Sequence, residues 1–153
     1  MLRLSKKADY ALMAMKHLAL RGDRGSSSAR EIAGQYDIPI ELLAKVLQRL
    51  VRRGLLASHQ GTRGGYQLVR LPSQISVADV IQAIDGPVTV TACSDEGQQC
   101  DQFAKCNVRD PLWRVRERIL TALGECTVAE LAADPPAPPA VRAAVLHTAP
   151  ART

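Results

Sequence analysis

The stretch from Ser28 to Arg70 limits the possible folds more than any other part of the chain. Ser28-Ala29-Arg30-Glu31 sets a capping serine three residues ahead of a glutamate, a helix-start pattern. The helix that follows is predicted to bury Ile32 and Ala33 and to end between Gly34 and Asp37. After Ile38, Pro39 suits the first turn of a second helix, where its missing N–H would have no partner anyway. That helix should run to about Arg53, turn Leu42, Leu43, Val46, Leu47 and Leu50 inward at helical spacing, and stop at Gly54. Leu55 to Gln60 and Tyr66 to Arg70 then read as two short strands around Gly61-Thr62-Arg63-Gly64-Gly65. Two helices with a four-residue connection, followed by a hairpin, make a winged helix-turn-helix. Its second helix is the one that enters the DNA major groove.

The flanking segments extend this frame. Leu4, Ala8, Ala11, Leu12, Met15, Leu18 and Ala19 recur on one face of a predicted first helix. Ser76 to Asp79 starts another capped helix, burying Val77, Val80, Ile81 and Ile84, and Asp85-Gly86-Pro87 breaks it. Asp110-Pro111 opens a long helix with Leu112, Val115, Ile119, Leu120 and Leu123 along one stripe, and Thr127 to Glu130 caps a short last helix. The predicted fold class is mainly α: a winged helix-turn-helix with a two-stranded β-wing, plus a long C-terminal dimerisation helix. Its parts are a DNA-binding domain over 1–86 and a cysteine-containing sensor loop over 87–110. Residues 111–133 hold the dimerisation helix and the short capped helix, with the first helix contributing to the interface. A Pro/Ala-rich tail over 134–153 has too little apolar surface to order itself.

Only 3% of the residues are aromatic, so the core must be aliphatic, which agrees with a helix-rich fold. Residues 1–70 carry 13 Lys/Arg against 5 Asp/Glu, whereas residues 71–153 carry 7 against 10, so the net charge of +5 divides into +8 and −3. A basic N-terminal half implies a polyanion, and nucleic acid fits better than membrane because no basic amphipathic helix with aromatic anchors is present. No apolar run is long enough to span a bilayer, and the N-terminus lacks the features of a signal peptide, so a cytoplasmic location is expected.

Removing the buried stripe from the second helix of the motif leaves an outward set rich in cations and amides. Glu41, Ala44, Lys45 and Gln48, near its start, are the candidates for reading base edges; Arg49 and Arg52 are placed for phosphates. His59, Gln60, Thr62 and Arg63 sit at a Gly-rich wing tip that lets the backbone approach the minor groove or the sugar-phosphate rail. Arg3, Lys6 and Lys7 oppose the dipole of the first helix, so they gain nothing from the fold and are candidates for phosphate contacts. The competing structural reading is a helical hairpin in a protein-interaction module.

Cys93, Cys100 and Cys106 fall in a polar segment with no means of building a core. They lack the paired spacing and nearby histidine of a zinc site, whereas widely spaced thiolates in a loop can wrap an iron-sulfur cluster. Bystander thiols and a thiol-disulfide switch remain open alternatives. Cys126 precedes the Thr127 cap, where an apolar residue staples onto Leu131, and is read as structural.

Leu4-Ser5-Lys6, Asp9-Tyr10-Ala11, the wing Gly61 to Tyr66, Asp85-Gly86-Pro87 and the three-cysteine loop running into Trp113 together resemble the IscR/NsrR-type family of bacterial winged-helix regulators. The resemblance covers residues 1 to about 133. Thr91-Ala92-Cys93 and the exit Cys106 to Trp113 are most similar to regulators of the SUF iron-sulfur assembly operon. The resemblance implies a homodimer held by the long helix and a pseudo-palindromic double-stranded DNA operator. It also implies a repressor whose DNA affinity follows an iron-sulfur cluster, 2Fe-2S rather than 4Fe-4S. The fourth ligand departs from the Isc-type pattern, since Arg109 occupies the position of that regulator's histidine. The nitric-oxide-sensing relative uses an aspartate early in the first helix of the partner subunit, and Asp9 matches it. Asp9 is equally readable as a solvated carboxylate favoured by the helix N-terminus.

A nitric oxide or redox sensor of the same family is the alternative within this class, and a redox or electron-transfer module is the alternative outside it. An enzyme is not expected: the sequence has no nucleophile-base pair or phosphate loop, and His17, His59 and His147 are far apart. His17 lies beside the apolar face of the first helix and is read as packing.

Overall fold

A computed structural model of the chain describes residues 3–22, 25–91 and 100–133. Cys93 and the 134–153 tail lie outside the described residues. Helix α1 (Lys6–Arg21), α2 (Ala29–Tyr36) and α3 (Ile40–Arg52) precede the hairpin β1 (Leu56–His59) and β2 (Gly65–Leu68). Helices α4 (Val77–Asp85), α5 (Arg109–Glu125) and α6 (Val128–Ala133) follow. This is the mainly helical winged helix-turn-helix that the sequence predicts.

Local chemistry sets most of the boundaries. Helix α1 begins after Ser5, whose hydroxyl accepts the Ala8 N–H at 3.1 Å, so Leu4 stays outside the helix and exposed. Ser28 caps α2 through Glu31 N–H, but the Glu31 carboxylate completes no box there and instead pairs with Arg21 at the end of α1. Full capping boxes form at Ser76/Asp79 and Thr127/Glu130.

The turn between α2 and α3 rests on Asp37, which takes the left-handed conformation (φ 53°, ψ 42°) usually left to glycine. Ile38 N–H then returns to Ala33 C=O at 3.0 Å, and Ile38 closes over the helix end as a buried side chain. Gly54 does the same for α3: Leu55 N–H reaches Leu50 C=O at 3.0 Å.

The core is aliphatic and continuous. Met15 of α1, Ile32 of α2, Leu43, Leu47 and Leu50 of α3, and Val80 of α4 meet in it, all fully buried. Leu42, expected inward, is only half-buried. Antiparallel pairing matches Leu56 with Leu68 and His59 with Gly65, and Ser27 adds a one-residue third strand by exchanging two hydrogen bonds with Tyr66 (2.8 and 3.0 Å).

After α5 the chain returns to this body. Val77 N–H donates to Cys126 C=O at 2.8 Å, Val128 N–H to Ile75 C=O at 2.9 Å, and Val128 is buried in the same core as α1. Helix α5 itself buries no residue, and Leu112, Trp113 and Val115 are exposed along it. Among the described residues, no helix is long and apolar enough to cross a membrane.

Candidate nucleic-acid interface and cysteine loop

Five of the cations singled out in the sequence converge. Lys6 and Lys7 of α1 and Lys45, Arg49 and Arg52 of α3 line one open cleft of about 710 Å³, which Asp85 also lines. The helical period explains the grouping: on α3, Lys45, Arg49 and Arg52 are spaced by four and three residues, which stacks them on the face opposite Leu43, Leu47 and Leu50. Arg49, which lines the cleft, also donates from Nε to Ala83 C=O at 2.9 Å. The Lys6 ammonium lies 5.7 Å from the centre of the Tyr10 ring. Such an array can neutralise a run of phosphates. Arg3 is exposed just ahead of α1 and does not line the cleft.

The remaining residues of α3 divide. Glu41 is exposed and Ala44 half-buried. Gln48, a candidate for base reading, donates its side-chain N–H to the Tyr66 hydroxyl at 2.8 Å, so its amide is shared with the wing. His59, Gln60, Thr62 and Arg63 are exposed at the hairpin end, and the Ser26 hydroxyl donates to Arg63 C=O at 2.9 Å, tethering the tip to the loop before α2. Sequence reasoning missed the parts played by Tyr66 and Asp85. Each touches its partner across a long sequence interval, and no local pattern marks such a contact.

Behind the wing lies a half-buried polar cluster. His17 Nδ1 is 2.9 Å from the Tyr36 hydroxyl and Nε2 is 3.3 Å from the hydroxyl of Ser27, which is fully buried. His17 is therefore packed as expected, and also hydrogen-bonded at both nitrogens. Burial lowers its pKa from 6.5, with Glu31 opposing that shift and Arg21 adding to it; burial also raises the pKa of Tyr36. The unfolded chain thus takes up a proton more readily than the folded one. The stability contributed here is complete above pH 6.5 and is lost as pH falls through the lowered folded value. Urea unfolding across roughly pH 5 to 8 should show stability falling toward acid, with a shallower fall in His17→Gln. Identical slopes in the two proteins would remove His17 as the cause.

In the cysteine loop, Cys100 and Cys106 are half-buried thiols on either side of a 3-10 turn, Phe103–Lys105. Cys100 Sγ lies 3.7 Å from Gln102 Oε1. Arg109 fastens this turn to α5: its Nη1 donates to Phe103 C=O at 3.2 Å, its guanidinium stacks 4.7 Å from the Phe103 ring, and its Nε pairs with Asp110 at 3.1 Å. A guanidinium has no lone pair to offer a metal, so Arg109 is a brace and not a ligand. Asp9 is half-buried in the first turn of α1. The donor chemistry fits a thiolate-held group in kind, although no group of three potential ligands is assembled among the described residues.

Residues 4–134 match the Rrf2 family, described as iron-dependent transcriptional regulators. The chain belongs to the Rrf2 family. It is 35% identical over 131 residues to the HTH-type transcriptional regulator IscR of Cronobacter sakazakii, covering 85% of this chain and 80% of that protein. Among solved structures, it is similar to CymR, the global cysteine regulator of B. subtilis, with 29% identity, a TM-score of 0.71, and coverage of 87% of this chain and 98% of that one. It is also similar to T. potens IscR, with 25% identity, a TM-score of 0.66, and coverage of 98% and 94%. As an Rrf2 protein the chain is a helix-turn-helix transcriptional regulator that binds DNA, and not an enzyme.

Proposed function

We propose that this Rrf2 protein acts in the cytoplasm as a homodimeric repressor of SUF-type iron-sulfur assembly genes, its operator affinity set by an iron-sulfur cluster. The observation that carries the reading is the pair Cys100 and Cys106 around a turn that Arg109 braces to the root of α5, which ties the segment between the thiols to that helix. Cys93, Cys100 and Cys106 would hold the cluster, 2Fe-2S by preference, with Asp9 of the partner subunit as fourth ligand. Bound there, the cluster would supply an electron-accepting centre whose presence or oxidation state could change. The exposed stripe Leu112, Val115 and Trp113 on α5 suits burial against a second copy.

On DNA, α3 lies in the major groove with Glu41, Ala44, Lys45 and Gln48 toward base edges. Arg3, Lys6, Arg49 and Arg52 take phosphates, and His59, Gln60 and Arg63 of the wing follow the adjacent backbone or minor groove. Anaerobic purification of the wild type and of Cys93→Ala, Cys100→Ala and Cys106→Ala tests the cluster. Iron, sulfide and visible absorption should be present in the first and largely lost in each variant. Equal iron and sulfide in all four proteins would reject cluster binding at this loop. Footprinting of cluster-loaded and cluster-free protein across the genome then identifies the operator and the target genes.

A further inference from the structure

Asp85 sits where simple electrostatics would not put it. It is the last residue of α4, where the helix dipole disfavours a carboxylate, and it lines the same cleft as Lys6, Lys7 and Lys45, where a negative charge repels phosphate. Its geometry supplies a reason. One carboxylate oxygen accepts the Ser5 hydroxyl at 2.5 Å and the other faces the Ser5 N–H at 3.3 Å, across 80 residues of sequence. Ser5 is the cap of α1, and its oxygen also accepts the Ala8 N–H, so the carboxylate orients the cap and with it the first turn of the helix. Two residues earlier, Ala83 C=O holds Arg49 of α3. The end of α4 therefore grips both walls of the cleft.

We propose that Asp85 is a positioning residue for DNA binding: clamped on Ser5, it fixes Lys6 and Lys7 across the cleft from the cations of α3. The proposal rests on the reading of this cleft as a phosphate-binding surface. It makes a prediction opposite in sign to that of bare charge. Removing an acid from a cationic groove would tighten binding, whereas unclamping α1 weakens it.

The test is fluorescence anisotropy of the full chain on a labelled duplex, titrated over about 50 to 200 mM salt. Asp85→Ala and Ser5→Ala should each weaken binding about tenfold and lower the salt slope by about one, the loss of roughly one phosphate contact at about 0.9 per contact. Asp85→Asn keeps an acceptor for the Ser5 hydroxyl and should bind at least as tightly as wild type. Lys6→Ala with Lys7→Ala should weaken wild type at least as much, and should weaken Asp85→Ala by a clearly smaller factor than it weakens wild type. Tighter binding by Asp85→Ala, or equal effects of the lysine pair in both backgrounds, overturns the positioning role. If Lys45→Ala with Arg52→Ala also leaves affinity unchanged, it is the cleft reading that falls, and Asp85 with it. Ser5→Ala and Asp85→Asn keep the test decisive even if Asp85→Ala unfolds.

Discussion

Gly65→Ala is expected to unseat the wing and to lower stability by about 3 kcal/mol, among the larger effects of any single methyl group in a domain of this size. Gly65 has φ +152°, and a Cβ built on it would lie 2.5 Å from the carbonyl oxygen of Ser27 and 2.6 Å from its carbonyl carbon. Both are backbone atoms, held by the pair of hydrogen bonds between Ser27 and Tyr66, so no flexible side chain can move aside. Relief requires breaking that bridge, which exposes the buried Ser27 and releases the Tyr66 hydroxyl from Gln48. The melting temperature should fall by roughly 10 °C or more. Gly61→Ala, with φ +116° but open space around its Cβ, is the control: it bears only the conformational penalty of about 1–2 kcal/mol. Equal melting temperatures for the two variants would show that the close approach at Ser27 is not what seats the wing.

The contrast between the two glycines also marks how far local sequence reaches. Ser28, Ser76 and Thr127 were legible as caps because a cap and its target N–H are three residues apart. The aliphatic stripe of α3 was legible because burial on one face imposes a period of 3.6. The converging cations follow from that stripe by subtraction. Ser27, by contrast, sits in a Gly/Ser-rich stretch that reads as loop, and only its partner Tyr66 makes it a strand. Likewise, Glu31 fits the capping-box pattern, but Arg21 competes for its carboxylate from the end of another helix. Asp85 looks like the last residue before a Gly-Pro break, and its bond to Ser5 depends on how α1 packs on α4. Periodicity on α5 announces an apolar face without saying what covers it; among the described residues, Leu112, Trp113 and Val115 on the first part of the helix stay exposed, whereas Ile119, Leu120 and Leu123 are half-buried.

Replacing Lys45 and Arg52 together by alanine is expected to abolish most DNA affinity while leaving the fold intact. Both residues are exposed on the face of α3 away from the core, and among the described residues the hydrogen bond of the Arg52 side chain is a long 3.5 Å contact within its own helix, so their loss leaves the core intact. Surface changes of this kind alter stability by about 0.5 kcal/mol or less. Their value on DNA comes from counterion release: at about 0.1 M salt one phosphate contact is worth roughly eightfold, so two lost contacts weaken binding about sixty-fold and lower the salt slope by about two. The single variants separate the roles. Arg52→Ala should weaken all sequences alike, whereas Lys45→Ala should also flatten the preference among bases within the operator, because it stands nearer the start of the helix that enters the groove. Binding at two salt concentrations to a pool of randomised duplexes measures affinity and preference together. A double variant that melts as the wild type does yet binds with the wild-type salt slope would move the DNA-contacting face away from this side of α3.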